Sequence, residues 1–313
     1  MPAVPVLSRE AILAAVGIDE AIARVRDAFV RHHRGEWVMP AKVYLDSPPH
    51  GDFRAMPARG GELAMLKWIS SFPSNRERRL PTVIGVLVVS DATTSEPLAI
   101  LDAGAVTALR TGAVAAVAAE ALAAGRGAAV IGCGVNGAYA ARALAAAGFG
   151  PGVCHDADPV AAERLAGELG WRAGTRAEAL ATDVVTCVTP GHEIVVDAGD
   201  LRPGMHLNML GADGPGKAEA TVGAVASCAL FCDEWEQASH GGELTGAVQA
   251  GLVDRARVTD LGAVLTGEAT GRPGRDAVTL FDSTGLAIQD LAVAAAALEA
   301  WRAGRVEAPE VSL

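Results

Sequence analysis

The apolar positions of the first hundred residues predict one helix followed by several short strands. Between Asp19 and Gly35 apolar side chains recur at helical spacing, with the aspartate as a candidate N-cap and the glycine as a stop. Runs typical of strands follow, separated by Pro, Gly, Ser and Asp. This order predicts a helix that opens the chain and an antiparallel sheet after it. The runs are 41–46, 62–70, 82–90 and 97–101.

After residue 104 the pattern changes to helices that alternate with strands. Such alternation indicates parallel strands joined by crossover helices. A last helix, at about 285–303, presents Leu291, Leu298 and Trp301 on one side. We therefore predict an α/β protein with a parallel sheet and a separate antiparallel sheet. The parallel strands are expected at 128–133, 152–156, 183–188, 204–210, 229–233 and 277–281.

Length and charge narrow the class of protein. A chain of 313 residues exceeds the usual size of one hydrophobic core, so two domains are expected. The formal net charge of −11 argues against nucleic-acid binding, because phosphate backbones would repel it. The sequence predicts neither a membrane span nor a signal peptide. Its five scattered cysteines, without a CxxC pair, predict no disulfide framework, no metal site and a reducing cytoplasmic location.

A dinucleotide-binding signature follows the first predicted parallel strand. Gly132, Gly134 and Gly137 fit the pattern GxGxxG, in which a helix N-terminus receives a pyrophosphate. Asp156 ends the next predicted strand, 19 residues after the last glycine, where an acid meets the adenosine ribose. A carboxylate there repels a 2′-phosphate, so we expect NAD before NADP. Three alternatives stay open: Asp158 as the ribose acid, a nearby arginine that admits NADP, and a turn that serves packing alone.

Three cations lie near apolar stretches of the first half of the chain. Strand alternation places Lys67 in a row of apolar side chains, where it must pair with an anion or hold its proton weakly. Either condition suits a lysine that polarises a carbonyl or imine. The alternative is an edge strand whose lysine reaches water. Arg54 lies beside Phe and Met, and Arg110 falls at an apparent helix start with Thr111 as a candidate cap. Together the cations predict a carboxylate site.

The segment LGADGPGK, residues 210–217, follows an apolar strand of the predicted parallel sheet. Ligands of such sheets bind beyond the carboxyl ends of the strands. Asp213 is therefore a candidate proton donor and acceptor, with Lys217 directed to the cofactor or its phosphates. A Gly-Pro turn with two solvated charges is the alternative that the sequence leaves open.

The segments discussed above, together with others along nearly the whole chain, resemble the ornithine cyclodeaminase and mu-crystallin family, including the archaeal-type alanine dehydrogenases. The resemblance implies that residues 1–122 and 285–313 form a substrate-binding and dimerisation domain, and that 123–284 form a Rossmann domain for NAD. A homodimer is also expected, because exposed edges of an antiparallel sheet invite pairing. The resemblance depends on MPAKVYL, GDFRAMP, LKWISSFPSN, LPTVIGVLVVSD, PLAILD, TALRTGAV, VIGCGVNG, LGADGPGK and FDSTGLAIQDL.

The resemblance also implies a role for each matching residue. Lys67 looks like the contact to a substrate oxygen, Arg110 like the arginine that holds the substrate carboxylate, and Asp213 like the catalytic acid/base. Lys42 and Arg54 fall in the segment that binds substrate in relatives. Ser283 and Thr284 look like a loop that closes over nicotinamide and substrate. The remaining cofactor contacts it implies are Thr82, Thr111, Gly132, Gly134, Val135, Asn136, Gly137, Asp156 and Lys217.

Arg54 departs from the ornithine-cyclising members, which carry a glutamate there that suits a distal amine. An arginine suits a carboxylate or carbonyl instead. The resemblance therefore implies an NAD-dependent amino-acid oxidoreductase of the alanine dehydrogenase or imine reductase type. Two rivals stay open. One is an ornithine or lysine cyclodeaminase that releases ammonia and regenerates its cofactor; the other is a non-enzymatic protein that binds NAD(P)H and a small ligand.

Overall fold

The secondary structure comes from a computed structural model that describes residues 3–214 and 216–312. The strands are β1 (Val4–Leu7), β2 (Trp37–Val38), β3 (Val43–Ser47), β4 (Gly51–Gly60), β5 (Leu63–Ser71), β6 (Val83–Asp91), β7 (Pro97–Asp102), β8 (Ala128–Ile131), β9 (Val153–His155), β10 (Arg172–Ala173), β11 (Val184–Cys187), β12 (His206–Met209), β13 (Ala229–Cys232), β14 (Val258–Asp260), β15 (Thr279–Asp282) and β16 (Glu310–Val311). The α-helices are α1 (Arg9–Ala15), α2 (Ile18–His33), α3 (Ala103–Leu122), α4 (Val135–Ala146), α5 (Pro159–Leu169), α6 (Arg176–Leu180), α7 (Val222–Ala226), α8 (Trp235–Gly241), α9 (Thr245–Gln249), α10 (Leu261–Leu265) and α11 (Ala287–Arg302).

The chain divides into two compact units. The first contains the residues up to Arg110 and those from Leu286 onward, and the second contains Thr111–Gly285. The division falls inside α3, earlier than the predicted boundary at residue 122. A continuous helix carries no turn residues at which such a boundary could be recognised in the sequence.

The sheet of the first unit has the strand order β16-β1-β7-β6-β5-β4-β2, with β3 paired to β4. Its neighbours are antiparallel except for the β1–β7 pair, which confirms the predicted antiparallel sheet. Strand β5 is an interior strand between β4 and β6. Alternate residues therefore point to opposite faces: Lys67 is buried with Met65 and Ile69, whereas Leu66 and Trp68 are exposed.

The start of the chain differs from the prediction. Strand β1 and helix α1 precede the helix that was expected to open the chain, so that expectation is wrong. Helix α2 has Gly17 as its N-cap, and Asp19 lies within its first turn. An acid at that position stabilises the helix through the dipole rather than as a cap.

Strand β4 was not recognised as a strand because it contains Pro57. Its residues from Asp52 to Gly60 pair with β5. On its other side β3 covers Gly51–Ala55 and β2 covers Arg59 and Gly60, so that Pro57 lies in the gap between these neighbours. Proline is tolerated where no ladder partner needs its missing N–H.

Helix α11 is buried on nearly all sides, whereas the sequence predicted a single packed face. It packs against α2 and against β4 and β5 of the same unit. Its buried residues include Gln289 and Asp290, both fully inaccessible to solvent. The alanines around the helix allow close approach from every side, which removes the amphipathic pattern.

The second unit is built on a parallel sheet with the order β10-β9-β8-β11-β12-β15-β13-β14. Every neighbouring pair is parallel, which confirms the Rossmann-type α/β prediction and the six predicted strands. The short strands β10 and β14 extend it at the edges. The chain order reverses between β8 and β11, and ligands of such sheets bind at the carboxyl ends of the strands beside this reversal.

Helix α3 corrects a second expectation. Arg110 and Thr111 lie in the middle of this helix and not at its start, so Thr111 is not a cap. The helix begins at Ala103, where the Asp102 carboxylate accepts a hydrogen bond from the Ala105 amide at 2.6 Å. Among the described residues α3 is also the one helix long and apolar enough to cross a membrane, and its apolar stretch is mostly buried, as in the core helices of globular proteins.

Candidate active site

Lys67 lies at the centre of the buried polar groups of the first unit. Lys67 lies on the face of β5 that packs against α11, and it is only 1% exposed. Its Nζ donates hydrogen bonds to Thr107 Oγ1 and to Asp290 Oδ1, each at 2.7 Å. The alternative of an edge-strand lysine that reaches water is therefore wrong.

Two arginines complete a cationic cluster around this lysine. Arg110 on α3 places Nε 3.4 Å from Asp290 Oδ1, and its Nη1 donates to Gln289 Oε1 at 3.4 Å. Arg54 on β4 points to the same face of the sheet as Lys67. Its Nε donates to Asp52 Oδ1 at 2.6 Å, and its guanidinium lies over the Tyr44 ring. The structure thus brings Lys67 and Arg110 onto one carboxylate, with Arg54 near enough to act on the lysine charge.

The electrostatics of the cluster favour a lysine that titrates close to neutrality. Burial is the main reason that the pKa of Lys67 falls to about 8. The carboxylate of Asp290 opposes this fall in pKa, whereas the positive charges of Arg110 and Arg54 add to it. Such a group can hydrogen-bond an anion as an ammonium and can exchange its proton near neutral pH.

Three members of the cluster were missed in the sequence: Thr107, Gln289 and Asp290. Asp290 is the most important, because it is the carboxylate that both cations meet. One signal could have identified it. The polar pair Gln289–Asp290 interrupts the apolar stretch 287–298 of the helix, and a buried charge there requires a partner.

Lys42 and Thr82 lie at strand starts of the first unit. Lys42 is half-buried directly before β3. Thr82 is half-buried directly before β6, and its carbonyl accepts a hydrogen bond from the Phe72 amide at 2.8 Å. Thr82 thus belongs to the unit that holds the cationic cluster, although the resemblance assigns it to the cofactor.

The glycine turn of the second unit joins β8 to α4. Gly132 has φ of +98°, a conformation that favours glycine. A Cβ on Gly137 would lie 1.7 Å from the Gly132 carbonyl oxygen, so the helix can approach the turn only if residue 137 is glycine. A Cβ on Gly134 would meet nothing within 4 Å, which leaves open space beside the first turn of α4, formed by Val135 and Asn136.

Asp156 lies against this turn. One carboxylate oxygen accepts a hydrogen bond from the Cys133 amide at 2.5 Å, and the other accepts from the Asp158 amide at 2.8 Å. The side chain is half-buried, so part of it faces solvent. Asp158, the alternative ribose acid, instead serves as the N-cap of α5 and accepts from the Val160 amide at 3.0 Å.

These features fit a dinucleotide. The open space at Gly134 adjoins free amides at a helix N-terminus, which is where a pyrophosphate binds. Asp156 at the end of β9 is in position for ribose hydroxyls. The turn also lies at the reversal of strand order, since a Cβ on Gly132 would come within 2.6 Å of the Val188 carbonyl oxygen after β11.

Asp213 and Lys217 lie in the segment after β12, at the carboxyl end of the parallel sheet. Lys217 Nζ donates to Asp213 Oδ1 at 2.6 Å, and the two side chains are 20% and 33% exposed. The pair is therefore accessible but partly enclosed, unlike a fully solvated surface pair. Lys217, predicted to contact the cofactor, here neutralises the candidate acid/base.

Buried acids that the sequence did not reveal fix the backbone of this segment. Glu219 accepts hydrogen bonds from the amides of Thr189 at 2.6 Å and Gly211 at 2.8 Å, which ties the segments after β11 and β12 together. The Glu243 carboxylate accepts from the Glu219 amide at 3.0 Å and from the Ala220 amide at 2.6 Å. Burial raises the pKa of Glu219 to about 7 and, together with the charge of Glu219, that of Glu243 to about 8.

The remaining predicted contacts are buried in the second unit. Ser283 Oγ donates to Asp233 Oδ2 at 2.9 Å, and the Gly285 amide donates to the same oxygen at 3.0 Å, which fixes the segment that contains Thr284. Thr111 is 5% exposed, and its hydroxyl has no hydrogen-bond partner within residues 3–214 and 216–312. A buried hydroxyl without a partner is a candidate ligand contact.

Comparison with known proteins gives one family and close structural neighbours. The profile of the ornithine cyclodeaminase/mu-crystallin family matches residues 4–305. An alanine dehydrogenase from Archaeoglobus fulgidus is 38% identical over 298 residues, which cover 92% of each chain.

Two solved structures resemble the whole chain. An archaeal alanine dehydrogenase dimer with bound NAD has a TM-score of 0.94 at 36% identity and covers 100% of both chains. The Δ1-pyrroline-2-carboxylate reductase of Thermococcus litoralis, in complex with NADH and L-proline, has a TM-score of 0.92 at 27% identity and covers 99% of this chain and 100% of the other.

Proposed function

Because the chain belongs to the ornithine cyclodeaminase/mu-crystallin family, we propose that it is an NAD-dependent oxidoreductase that acts on a small amino or imino acid. The observation that carries this proposal is the buried lysine with a pKa of about 8, flanked by two arginines. A binding protein without turnover does not require a lysine that titrates near neutrality. The relatives in the two solved complexes have nicotinamide cofactors bound, which supports NAD.

In the proposed reaction the first unit binds the substrate. Arg110 and Arg54 hold the substrate carboxylate, because a guanidinium matches its two oxygens. Lys67 donates a hydrogen bond to the carbonyl oxygen or imine nitrogen and so polarises the carbon that is reduced. Lys42, on the segment before β3, adds a further cation for the substrate.

The second unit binds the cofactor. Gly132, Gly134, Gly137 and the first turn of α4 receive the pyrophosphate, and Asp156 receives the adenosine ribose. Thr82 and Thr111, with Ser283 and Thr284, are further proposed contacts. When bound, NADH supplies the hydride that reduces the substrate carbon, and NAD⁺ accepts it in the reverse direction.

Asp213 is the proposed acid/base. In reductive amination a 2-oxo acid and ammonia lose water to form an imine, which then takes up a hydride and a proton to form the amino acid. Asp213 handles the proton of the water or ammonia, and Lys217 moderates the charge of its carboxylate. Arg54 disfavours the distal amine of ornithine. We therefore favour a net oxidation or reduction over a ring-closing deamination as the reaction of this protein.

The test of this proposal follows NADH absorbance with a panel of 2-oxo acids in ammonia or simple amines, beside product analysis with ornithine and lysine. We expect NADH consumption with at least one oxo acid. Flat absorbance while proline or pipecolate and ammonia accumulate would indicate the cyclodeaminase instead. Binding of NADH without any turnover across the panel would contradict an enzymatic role.

We also propose that the protein is a cytoplasmic homodimer that associates through the outward face of the first unit's sheet. Leu66, Trp68, Ile84 and Val86 on this face are each at least 39% exposed, beside an apolar groove of about 580 Å³. Contiguous apolar surface of this kind marks protein interfaces. The archaeal alanine dehydrogenase structure is a dimer. Five buried cysteines suit a reducing compartment.

Trp68→Glu tests the homodimer by sedimentation. A carboxylate in the middle of an apolar interface should convert the dimer to monomers, because it cannot be desolvated there without a partner. Val160→Glu is the matched control, since Val160 is 69% exposed on α5 of the second unit. A Trp68→Glu protein that sediments like wild type would contradict the proposed interface.

A further inference from the structure

Within the described residues Asp290 is the one anion paired with Lys67 and Arg110, whereas the third cation of the cluster, Arg54, pairs with Asp52. It is fully buried on α11, and Oδ1 accepts from Lys67 at 2.7 Å while lying 3.4 Å from Arg110 Nε. Its second oxygen, Oδ2, has no hydrogen-bond partner in the described parts of the chain. Among the described residues, the charge of Asp290 is thus directed at the two cations and at no other donor.

No other described group supplies a negative charge that is paired with Lys67 itself. Strand β4 contributes Arg54, whose charge is paired with the Asp52 carboxylate of the same strand, and the cross-strand partners of Lys67 on β4 and β6 are Met56 and Leu87. Helix α3 contributes Arg110 and the neutral hydroxyl of Thr107. Without Asp290 the ammonium of Lys67 would lie buried between two guanidinium groups.

We propose that Asp290 is a positioning residue that keeps Lys67 in its ammonium form and directs Nζ and the Arg110 guanidinium toward the substrate. The proposal rests on the function proposed above for Lys67. Asp290 acts through the two cations and does not itself react.

The physical basis is the cost of a buried charge. An ammonium without water or a counter-ion gives up its proton, whereas an anion within hydrogen-bond distance restores it. Burial already lowers the pKa of Lys67 to about 8, against the opposing effect of Asp290. Removal of the carboxylate should lower the pKa of Lys67 further, by about one unit or more.

Because the chain contains few lysines, the pKa of Lys67 can be measured without an activity assay. Of its 26 Lys and Arg residues only Lys42, Lys67 and Lys217 are lysines. Protein labelled with ¹³C at the lysine ε-carbon therefore gives three side-chain signals, and Lys67→Met identifies the one from Lys67. Its chemical shift is followed from pH 6 to pH 11 in wild type and in Asp290→Asn.

We expect the Lys67 titration to move down by about one unit or more in Asp290→Asn. The fall of kcat/KM on the alkaline side should move down with it, because the ammonium is the active form. The loss of activity relative to wild type should shrink as the pH is lowered. Glu299→Gln is the matched control: it removes a carboxylate and an arginine ion pair from the exposed end of the same helix, and both profiles should stay unchanged.

An unchanged Lys67 titration in folded Asp290→Asn would overturn the proposal, as would a loss of activity that is equal at every pH. If Asp290→Asn does not fold, Asp290→Glu decides, since it keeps the charge. A Lys67 pKa that stays near the wild-type value supports the proposal, and one that falls by a unit contradicts it. Absence of turnover in wild type would contradict the proposed function alone, because the titration is measured without substrate.

Discussion

The two units bury charged groups in different ways. In the first unit Lys67 and Arg110 meet Asp290, so opposite charges neutralise one another and all three can stay ionised. In the second unit Glu219 and Glu243 lie side by side and accept hydrogen bonds from several backbone amides, and Glu219 also accepts one from the Thr189 side chain. The contrast teaches that burial preserves a usable charge only where a counter-ion lies next to it, and otherwise favours the neutral form.

The acidic region of the second unit extends beyond this pair. Asp282 at the end of β15 is fully buried and accepts a hydrogen bond from the Leu244 amide at 3.0 Å. Burial raises the pKa of Asp282 well above its usual value, and the charge of Asp233 adds to the rise. Burial therefore favours the protonated form of these carboxyl groups, which fix loops, whereas the mixed cluster of the first unit pairs opposite charges.

Lys67→Met should break the mixed cluster with the largest effect. We expect kcat/KM to fall by about 10³-fold, the scale for loss of a preorganised donor to a developing charge. Unfolding should also become easier by about 3–5 kcal/mol, because Asp290 is left buried without its nearest partner. Steady-state kinetics and urea unfolding measure the two effects.

The double variant Lys67→Met with Asp290→Asn separates those two effects. It should recover part of the lost stability, since the fully buried carboxylate is removed together with Lys67 while Arg110 loses its ion-pair partner, and none of the activity. Equal stability of the single and double variants would mean that the charges do not interact as described.

Asp213→Asn tests an acid of the second unit that, unlike Glu219 and Glu243, is partly exposed. Its side chain is 33% exposed and paired with Lys217. Turnover should fall on the order of 10²-fold or more, the range for a positioned acid/base, while NADH binds nearly as in wild type. Fluorescence titration with NADH and single-turnover kinetics distinguish binding from chemistry. Asp197→Asn, which changes an exposed cap in the same unit, should behave like wild type; unaltered turnover in Asp213→Asn would remove this residue from the mechanism.

A smaller effect is expected when pH changes the stability that Glu219 and Glu243 contribute. The pKa of Glu219 and of Glu243 is raised from 4.5 to about 7 and about 8, so the folded state favours their protonated forms. Their contribution to stability is complete below pH 4.5 and is lost as the pH rises through 7 to 8. The urea midpoint should therefore fall between pH 5 and pH 9.

Glu243→Gln should flatten that fall, because the amide cannot lose a proton. Glu178→Gln is the contrast. Glu178 is exposed, and hydrogen bonds from the Thr175 backbone and hydroxyl lower its pKa, so its contribution is lost on the acidic side instead. If the urea midpoint of Glu243→Gln falls with rising pH as steeply as that of wild type, groups other than Glu243 cause the fall.

Features that depend on local spacing were predictable from the sequence. The period of two along β5 revealed Lys67 among apolar neighbours, and the glycine spacing revealed the turn before α4. The family and the Rossmann-type sheet are confirmed by the matches over nearly the whole chain. The roles of Asp213, Asp156 and the cations remain predictions.

Features that depend on distant pairing were not predictable. Asp290 is 223 residues from Lys67 in the chain, and no spacing rule connects a strand residue to a helix residue so far away. Glu219 and Glu243 were missed for the same reason, since their partners are backbone amides of other segments. Arg110 was placed at a helix start because Thr and Gly beside it imitate a cap, although the helix begins at Ala103.

The scarcity of lysine has a practical consequence. Reagents that acylate primary amines would find only three side chains, all of them in the segments proposed for substrate, cofactor and proton transfer. Attachment through Lys42 or Lys217 would thus modify a segment proposed to bind substrate or cofactor, whereas Lys67, only 1% exposed, is shielded from such reagents. An arginine changed to lysine on an exposed helix, such as Arg31 on α2, would give the coupling chemistry a harmless point of attachment.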